Sequence, residues 1–560
     1  MRDEYISILT NDFLKNAGIV GMLTLLEDDR TAVNGQHYII SNNELLIEKE
    51  YLLNADLTQL YFNSMIKRFY KNTIIYSINC KIDNLLNNID NINLENDIKN
   101  DITFISDKLA AASFKTGIDT IKDKIDNVQI YYDVTNKIFK NQLISNELYV
   151  QLRELKEFLY QPLVKETLCF KNIIYNYINK FWEKSFLLRN NAKKDMKECF
   201  NNDFIIPLKE YIKSDTSNMK EQCIDCGNSI NSKIGVSISF MNDFADDLSR
   251  KKSALYNYNV DMNLCPICAF LYALIPLGFV KYNNDFLFFN DNHSIENLYR
   301  ANSFYGKNNI DEVKEIEKLE GKYYKIYQYI EHLVLYDKKN YNYRNVQVIT
   351  RKILGNDKVK YEFDILDKYL IDILNKELVR ENLKYFTTIN VIKIDEEYIN
   401  LFKEIIKRFL GKRNLYDLLY LLIKHNLVNS NENWLSIYAR KILDIQYQIN
   451  GGDNMKYLYH VTKDGYALRK TLSHSKKVDN IDENYKGTFY QLTNALRVDN
   501  RIKFLDIIIR LYTTLDMSIP QSIASIMCDE NGKDIAYAFL LGLKGACYDS
   551  DKKQEGNEDE

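Results

Sequence analysis

Two short cysteine pairs, CIDC at 223–226 and CPIC at 265–268, constrain this chain more than any other feature. Each C-x2-C places two thiols on one side of a tight turn, and two such turns supply the four sulfurs that tetrahedral Zn2+ takes. Gly227 relaxes the backbone where the first knuckle turns back. The spacer 227–264 is longer than in a compact zinc ribbon, so a small subdomain is expected between the knuckles. A site closed by Cys223, Cys226, Cys265 and Cys268 has no open coordination position; it braces a fold and does not activate water. The alternative is four buried or redox-active thiols without metal. Cys80, Cys169, Cys199, Cys528 and Cys547 stand among apolar or helical-looking neighbours and read as small core hydrophobes.

At 560 residues the length predicts about three or four domain-sized units. The composition is 46% hydrophobic and 27% charged, with a formal net charge of −3. That balance is globular and excludes a disordered chain and the blanket basic surface of a DNA-coating protein, while leaving room for a local basic channel. Asn, Lys, Ile and Tyr are abundant while Pro (5) and Trp (2) are scarce, a bias toward AT-rich codons, so lysine content alone does not indicate nucleic acid. The longest apolar run, AFLYALIPLGFV at 269–280, is shorter than the roughly 20 residues of a spanning helix and contains Pro276, which makes it a buried core segment. The start, MRDEYISILTNDFLKNAG, has no apolar h-region, so a cytoplasmic location without membrane association is expected, where paired cysteines bind metal more often than they form disulfides.

The predicted fold class is α+β and predominantly helical: a mixed N-terminal region at 1–218, a zinc-stapled subdomain at 219–295, a helical region at 296–450, a C-terminal helical bundle at 451–548 and a charged tail at 549–560. In the first region Asn34-Gly35 followed by YIIS reads as a hairpin, and from about 57 to 200 apolar residues recur at helical spacing, as in ITFISDKLAAASF and VQLRELKEFLYQPLVKETL. IGVSISF and KYNNDFLFF read as strands. VIKIDEEYINLFKEIIKRFLGKRNLYDLLYLLIKH, at 391–425, reads as helical.

GGDNM at 451–455 raises the possibility of a metal-binding hairpin loop of the palm-polymerase kind, but only Asp453 is acidic and the preceding ARKILDIQYQIN is a poor palm strand. A helix stop at Gly451 and Gly452 is the competing reading. No phosphate-binding glycine loop, H-E-x-x-H or G-x-S-x-G occurs. His37, His293, His332, His425, His460 and His474 are dispersed. No enzymatic activity is expected.

NAGIVGMLTLL at 16–26, the paired CIDC and CPICAFLYALIPLGF, and the C-terminal DIAYAFLLGLKGA at 534–546 resemble the large subunit of type I-B CRISPR interference complexes, the Cst branch of the Cascade large-subunit families. The resemblance runs from Asn16 to Ala546. It implies a non-enzymatic protein that sits at the 5′ end of a CRISPR RNA, reads the protospacer-adjacent motif on double-stranded target DNA, helps open the duplex and supports recruitment of a helicase-nuclease. Implied partners are the Cascade backbone and small subunits, the latter in some systems made by internal translation. GGDNM fits such a start, since two glycine codons can read as a ribosome-binding sequence ahead of Met455.

That role needs side chains that reach base edges and a basic path for a displaced strand. The candidates are Lys281, Asn283 and Asn284 in KYNN, Arg250, Lys251 and Lys252 on the knuckle spacer, and Arg469, Lys470, Lys476 and Lys477 in the loop-like RKTLSHSKK. The alternative for each is an ordinary solvated residue. A degenerate palm-type nucleotidyl-transfer enzyme and a zinc-stapled scaffold without nucleic acid are the competing functions.

Overall fold

The computed structural model describes residues 4–88, 95–136, 139, 146–182, 187, 195–216, 219–231, 233–241, 258, 261–282, 285–303, 321–331, 345–354, 359–389, 391–394, 396–429, 434–476 and 481–545. The chain divides into two compact units, one of 1–308 with 349–363 and one of 309–348 with 364–560. The α+β, mainly helical class holds: helices dominate both units and the sheets are small.

Unit 1 opens with an antiparallel sheet in which β1 (Tyr5–Leu9) and β2 (Tyr38–Ser41) flank β3 (Glu44–Glu48). The hairpin turn expected at Asn34-Gly35 lies instead at Asn42-Asn43, with Ser41 opposite Glu44. The carbonyls of that turn accept the N–H groups of Ile295 at 2.7 Å and Thr10 at 3.0 Å, so tertiary partners fix the register. Between β1 and β2 runs α1 (Phe13–Asp28), whose N-cap Asp12 accepts from the N–H groups of Leu14 and Lys15. Its apolar residues have no preferred side and its burial is nearly complete, as for a helix enclosed by protein.

Around α1 pack α2 (Leu57–Phe69), which in turn carries α3 (Pro162–Asn176), and α4 (Pro266–Ala273) and the single turn α5 (Ile275–Gly278). Helices Ile74–Asn88, Glu95–Leu109, Ala112–Ile121, Gln129–Val134 and Asn146–Tyr160 enclose a second core around Ile78, Ile105, Leu152 and Leu155. This is the expected helical layer, interrupted at Pro162, which begins α3 because it cannot donate to the preceding turn.

The knuckle region contributes two-residue ladders, β4 (Glu221–Gln222) with β5 (Ser229–Ile230) and β6 (Val236–Ser237) with β7 (Asn263–Leu264). IGVSISF is thus strand only at its centre and continues as a 3-10 turn, Ile238–Phe240. KYNNDFLFF forms β8 (Val280–Tyr282) and β9 (Asp285–Asn290), paired antiparallel. They join β10 (Val346–Ile353) and β11 (Val359–Leu366) in the order β11-β10-β9-β8. Those last strands fall where helices were expected; VQVITRKI and VKYEFDIL carry the β-branched and aromatic residues of strands.

In unit 2 the start of the expected long helical run is a short hairpin, β12 (Ile392–Ile394) with β13 (Glu397–Ile399). Helix Leu401–Leu410, α6 (Tyr416–Val428), α7 (Trp434–Ile449) and α8 (Met455–Lys476) follow. The last long element, α9 (Gly532–Leu543), is buried almost throughout. It crosses α8 backbone to backbone, since a Cβ at Gly542 would meet the Thr462 carbonyl oxygen at 2.0 Å and one at Gly465 that of Phe539 at 2.1 Å.

GGDNM joins α7 to α8 and does not tip a strand hairpin. Gly452 N–H reaches the Tyr447 carbonyl at 2.9 Å, Gly451 N–H reaches that of Gln448 at 3.3 Å, and Gly451 has φ 80°. This left-handed glycine closure satisfies carbonyls that the helix end leaves unpaired. Asn454 then caps α8 by accepting from the Tyr457 N–H at 3.0 Å. Asp453 is exposed and pairs with Lys376 at 3.3 Å.

Candidate metal centre

The first knuckle turns between β4 and β5. Gly227, at φ 73°, donates its N–H to the Cys223 carbonyl at 3.0 Å, and Cys223 N–H donates to the Asn228 carbonyl at 2.9 Å. The second knuckle follows β7, with Cys265 at the N-cap of α4, Pro266 at the first helical position and the Cys268 N–H donating to Cys265 Sγ at 3.4 Å. Ile224 N–H to the Asn263 carbonyl, 3.1 Å, ties the knuckles together.

The four sulfurs of Cys223, Cys226, Cys265 and Cys268 lie within 4.8 Å of one another, the only such group of three or more metal-ligating side chains among the described residues. Cys226 Sγ and Cys265 Sγ are 3.6 Å apart. A disulfide needs about 2 Å, whereas a tetrahedron with metal–sulfur bonds of about 2.3 Å has edges of roughly 3.8 Å. The four cysteines therefore form a set that can hold a metal ion. Their thiols cannot all ionise together without one: hydrogen bonds from Cys226, Cys265 and Cys268 push Cys223 down, and the same contacts with Cys223 and Cys226 push Cys265 and Cys268 up. A divalent cation removes that conflict by replacing the shared protons.

The centre sits in the main core of unit 1, with Leu264, Ala269 and Phe270 buried beside the ligands. The run 269–280 is a buried core segment as expected. It meets α1 at backbone contact: a Cβ at Gly18 would lie 2.6 Å from the Leu271 carbonyl oxygen, one at Gly21 2.4 Å from that of Leu274, and one at Gly278 2.1 Å from that of Ala17. Trp182 Nε1 donates to the Ala273 carbonyl at 3.2 Å.

Two residues that sequence reasoning missed stand at the centre. Lys15 on α1 is 5% exposed, and its Nζ lies 3.2 Å from Asp225 Oδ1 and 3.1 Å from Oδ2, within the first knuckle. Burial alone would lower the Lys15 pKa, but Asp225, Cys268 and Cys226 raise it overall. The available signal was the one basic residue of α1, just ahead of its long apolar run.

Of the candidate nucleic-acid residues, Lys281 belongs to unit 1 and Arg469, Lys470 and Lys476 to unit 2. Arg250, Lys251, Lys252, Asn283, Asn284 and Lys477 lie outside the described residues. Lys281 is turned inward, its Nζ 3.3 Å from Tyr177 Oη and 4.4 Å from that ring's centre, and burial followed by the nearby Lys180 lowers its pKa. RKTLSHSK is helix to Lys476, not loop. Arg469 spends its guanidinium on Asp482, at 2.6 and 3.2 Å, and on the Leu543 carbonyl at 3.1 Å. Lys470 is exposed, with its Nζ 4.9 Å from the Tyr466 ring centre. Of the scattered cysteines, Cys169 and Cys199 are buried as expected, Cys80 is partly so, Cys528 is exposed, and Cys547 lies outside the described residues.

The chain matches no protein-family model, no curated protein and no solved structure. Among the described residues no helix is long and apolar enough to cross a membrane.

Proposed function

We propose that this chain is a non-catalytic, zinc-stapled large subunit of a type I-B CRISPR interference complex. One observation carries the reading. The segments that bear the resemblance are those whose backbones meet: NAGIVGMLTLL packs on the helix of CPICAFLYALIPLGF at Gly18, Gly21 and Gly278, and DIAYAFLLGLKGA crosses α8 at Gly542. That the resemblance falls on close backbone approaches within each unit supports this reading over a chance run of apolar residues. In this role zinc on Cys223, Cys226, Cys265 and Cys268 supplies folding energy, and the protein reads a short duplex motif while guide pairing reads the target. A cytoplasmic location follows from that role.

The test is purification with a CRISPR RNA and the other interference subunits. A ribonucleoprotein binding duplex DNA only when the adjacent motif is present is the expected outcome; equal binding without the motif, or a preparation free of RNA and of companion subunits, refutes it. The second reading, a zinc-stapled scaffold without nucleic acid, is favoured by the inward use of Lys281 and Arg469. An RNA-free preparation holding one zinc per chain is its signature.

A further inference from the structure

We infer that Lys15 is a positioning residue of the four-cysteine centre, the cation that offsets its charge and ties α1 to it. This rests on the proposed metal reading and extends it to a residue outside the knuckles.

Four thiolates around a divalent ion leave a net charge of −2, and Asp225 between two of the ligands makes the local sum −3. That charge lies against Leu264 and Phe270, both buried, where an uncompensated ion costs several kcal/mol. Lys15 is a cation that the fold brings there. Its side chain is 6% exposed and Asp225's is 5%, so neither partner is held by solvent. The ammonium also lies within electrostatic reach of Cys226 and Cys268, one ligand from each knuckle. A buried lysine with a single carboxylate partner would be an expensive ornament; beside a dianionic centre it lowers the energy of the loaded state. The residues before and after it fix its place: Asp12 caps the helix, and Asn16 donates to Asn290 Oδ1 at 2.8 Å.

The sign of Asp225 separates this role from a structural staple. If the pair only pins α1, loss of either partner weakens metal binding in parallel. If Lys15 serves the centre, removing the cation weakens binding and removing the extra carboxylate does not. The experiment measures Zn2+ affinity of the full chain by competition with a chromophoric chelator at one neutral pH, with Co2+ absorption reporting that four thiolates still bind. Lys15→Met is expected to weaken Zn2+ binding about 10- to 100-fold, Lys15→Arg to recover most of it, and Asp225→Asn to leave it equal or tighter. Parallel weakening in Lys15→Met and Asp225→Asn overturns the inference, as does unchanged affinity in Lys15→Met. Asp225→Asn keeps the test alive should Lys15→Met fail to fold. A wild-type chain that binds no Zn2+ defeats the metal reading itself, a different result from a loaded chain indifferent to Lys15.

Discussion

Replacing Gly21 by alanine sets two effects of opposite sign against each other. In a free helix the change is favourable by up to about 1 kcal/mol, because glycine loses more backbone entropy than alanine. In this fold the new Cβ would stand 2.4 Å from the Leu274 carbonyl oxygen and 2.8 Å from its Cβ. The first is a backbone atom on a short turn packed behind the metal centre and has no rotamer to yield. Overpacking of this kind costs about 1–3 kcal/mol, so a net loss of about 1–2 kcal/mol is expected for unit 1. Gly487 is the control. It is helical, exposed and has nothing within 4 Å of its ideal Cβ, so Gly487→Ala should be neutral or gain a few tenths of a kcal/mol. The chain has 2 tryptophans, and they lie one in each unit, Trp182 in unit 1 and Trp434 in unit 2. Urea unfolding followed by Trp182 fluorescence in a Trp434→Phe background thus reports unit 1, and the midpoint shift at constant slope gives the cost. A Gly21→Ala chain as stable as its parent would mean that the α1–α5 contact is loose, and the argument from backbone approach would fail.

Four further outcomes are expected. Chelation of metal, or Cys223→Ser, should lower the unfolding midpoint read by Trp182 while leaving that read by Trp434 in a Trp182→Phe background in place, since the ligands lie in one unit; equal loss in both would contradict the division. Asp534 has its pKa pushed up to about 6 by burial, against hydrogen bonds from Asn450 and Tyr416. Its folded value exceeds the unfolded one near 3.9, so its contribution to stability is complete below about pH 4 and is lost as pH rises through about 6, by on the order of 3 kcal/mol; Asp534→Asn should flatten that part of the stability profile of unit 2. Asp482 receives both Arg469 and Lys544, each at 2.6 Å, so Asp482→Ala should cost unit 2 about 3–5 kcal/mol by leaving the buried Lys544 and the half-buried Arg469 without it. Lys470→Ala should change stability by less than about 0.5 kcal/mol; if the exposed face of α8 follows a nucleic-acid strand, the slope of log affinity against log salt falls by about 1.

The sequence carried the class of fold and the ligand set, because those depend on local pattern: C-x2-C spacing, helical periodicity, a proline that stops a turn. It misled where tertiary partners decide. VIKIDEEYI has apolar residues that suit a helix as well as a strand, and only pairing of Ile392 with Ile399 resolves them. Asn34-Gly35 is the better hairpin dipeptide, yet Asn42-Asn43 is used because Thr10 and Ile295 donate to its carbonyls. Arg469 shows the same limit: spacing shows that it is charged, and only the fold shows Asp482 facing it. Lys15 escaped notice since one lysine just ahead of an apolar run reads as an ordinary solvated residue until its partner, 210 residues away, is known.

The connector at 451–454 shows how a boundary in sequence need not be a boundary in packing. The glycines end α7 and Asn454 starts α8, so the stretch looks like a hinge between bundles. But Asn450 Nδ2 donates to Asp534 Oδ2 at 2.7 Å, Tyr416 Oη donates to Asp534 Oδ1 at 2.9 Å, and Arg440 on α7 bonds Thr462 on α8. Helices before and after the connector are therefore joined by polar contacts at two places, at Asp534 near the N-terminus of α9 and at Thr462 where α8 crosses Gly542. A polypeptide begun at Met455 would keep the crossing of α8 and α9 but lose Tyr416, Arg440 and Asn450, leaving Asp534 and the face of α9 toward α7 uncovered. If internal translation does begin there, the product needs something to replace α7: another protein surface or a second copy of itself. The glycine pair by itself meets the stereochemical need of a helix end, and the case for a start site has to be made on the messenger RNA.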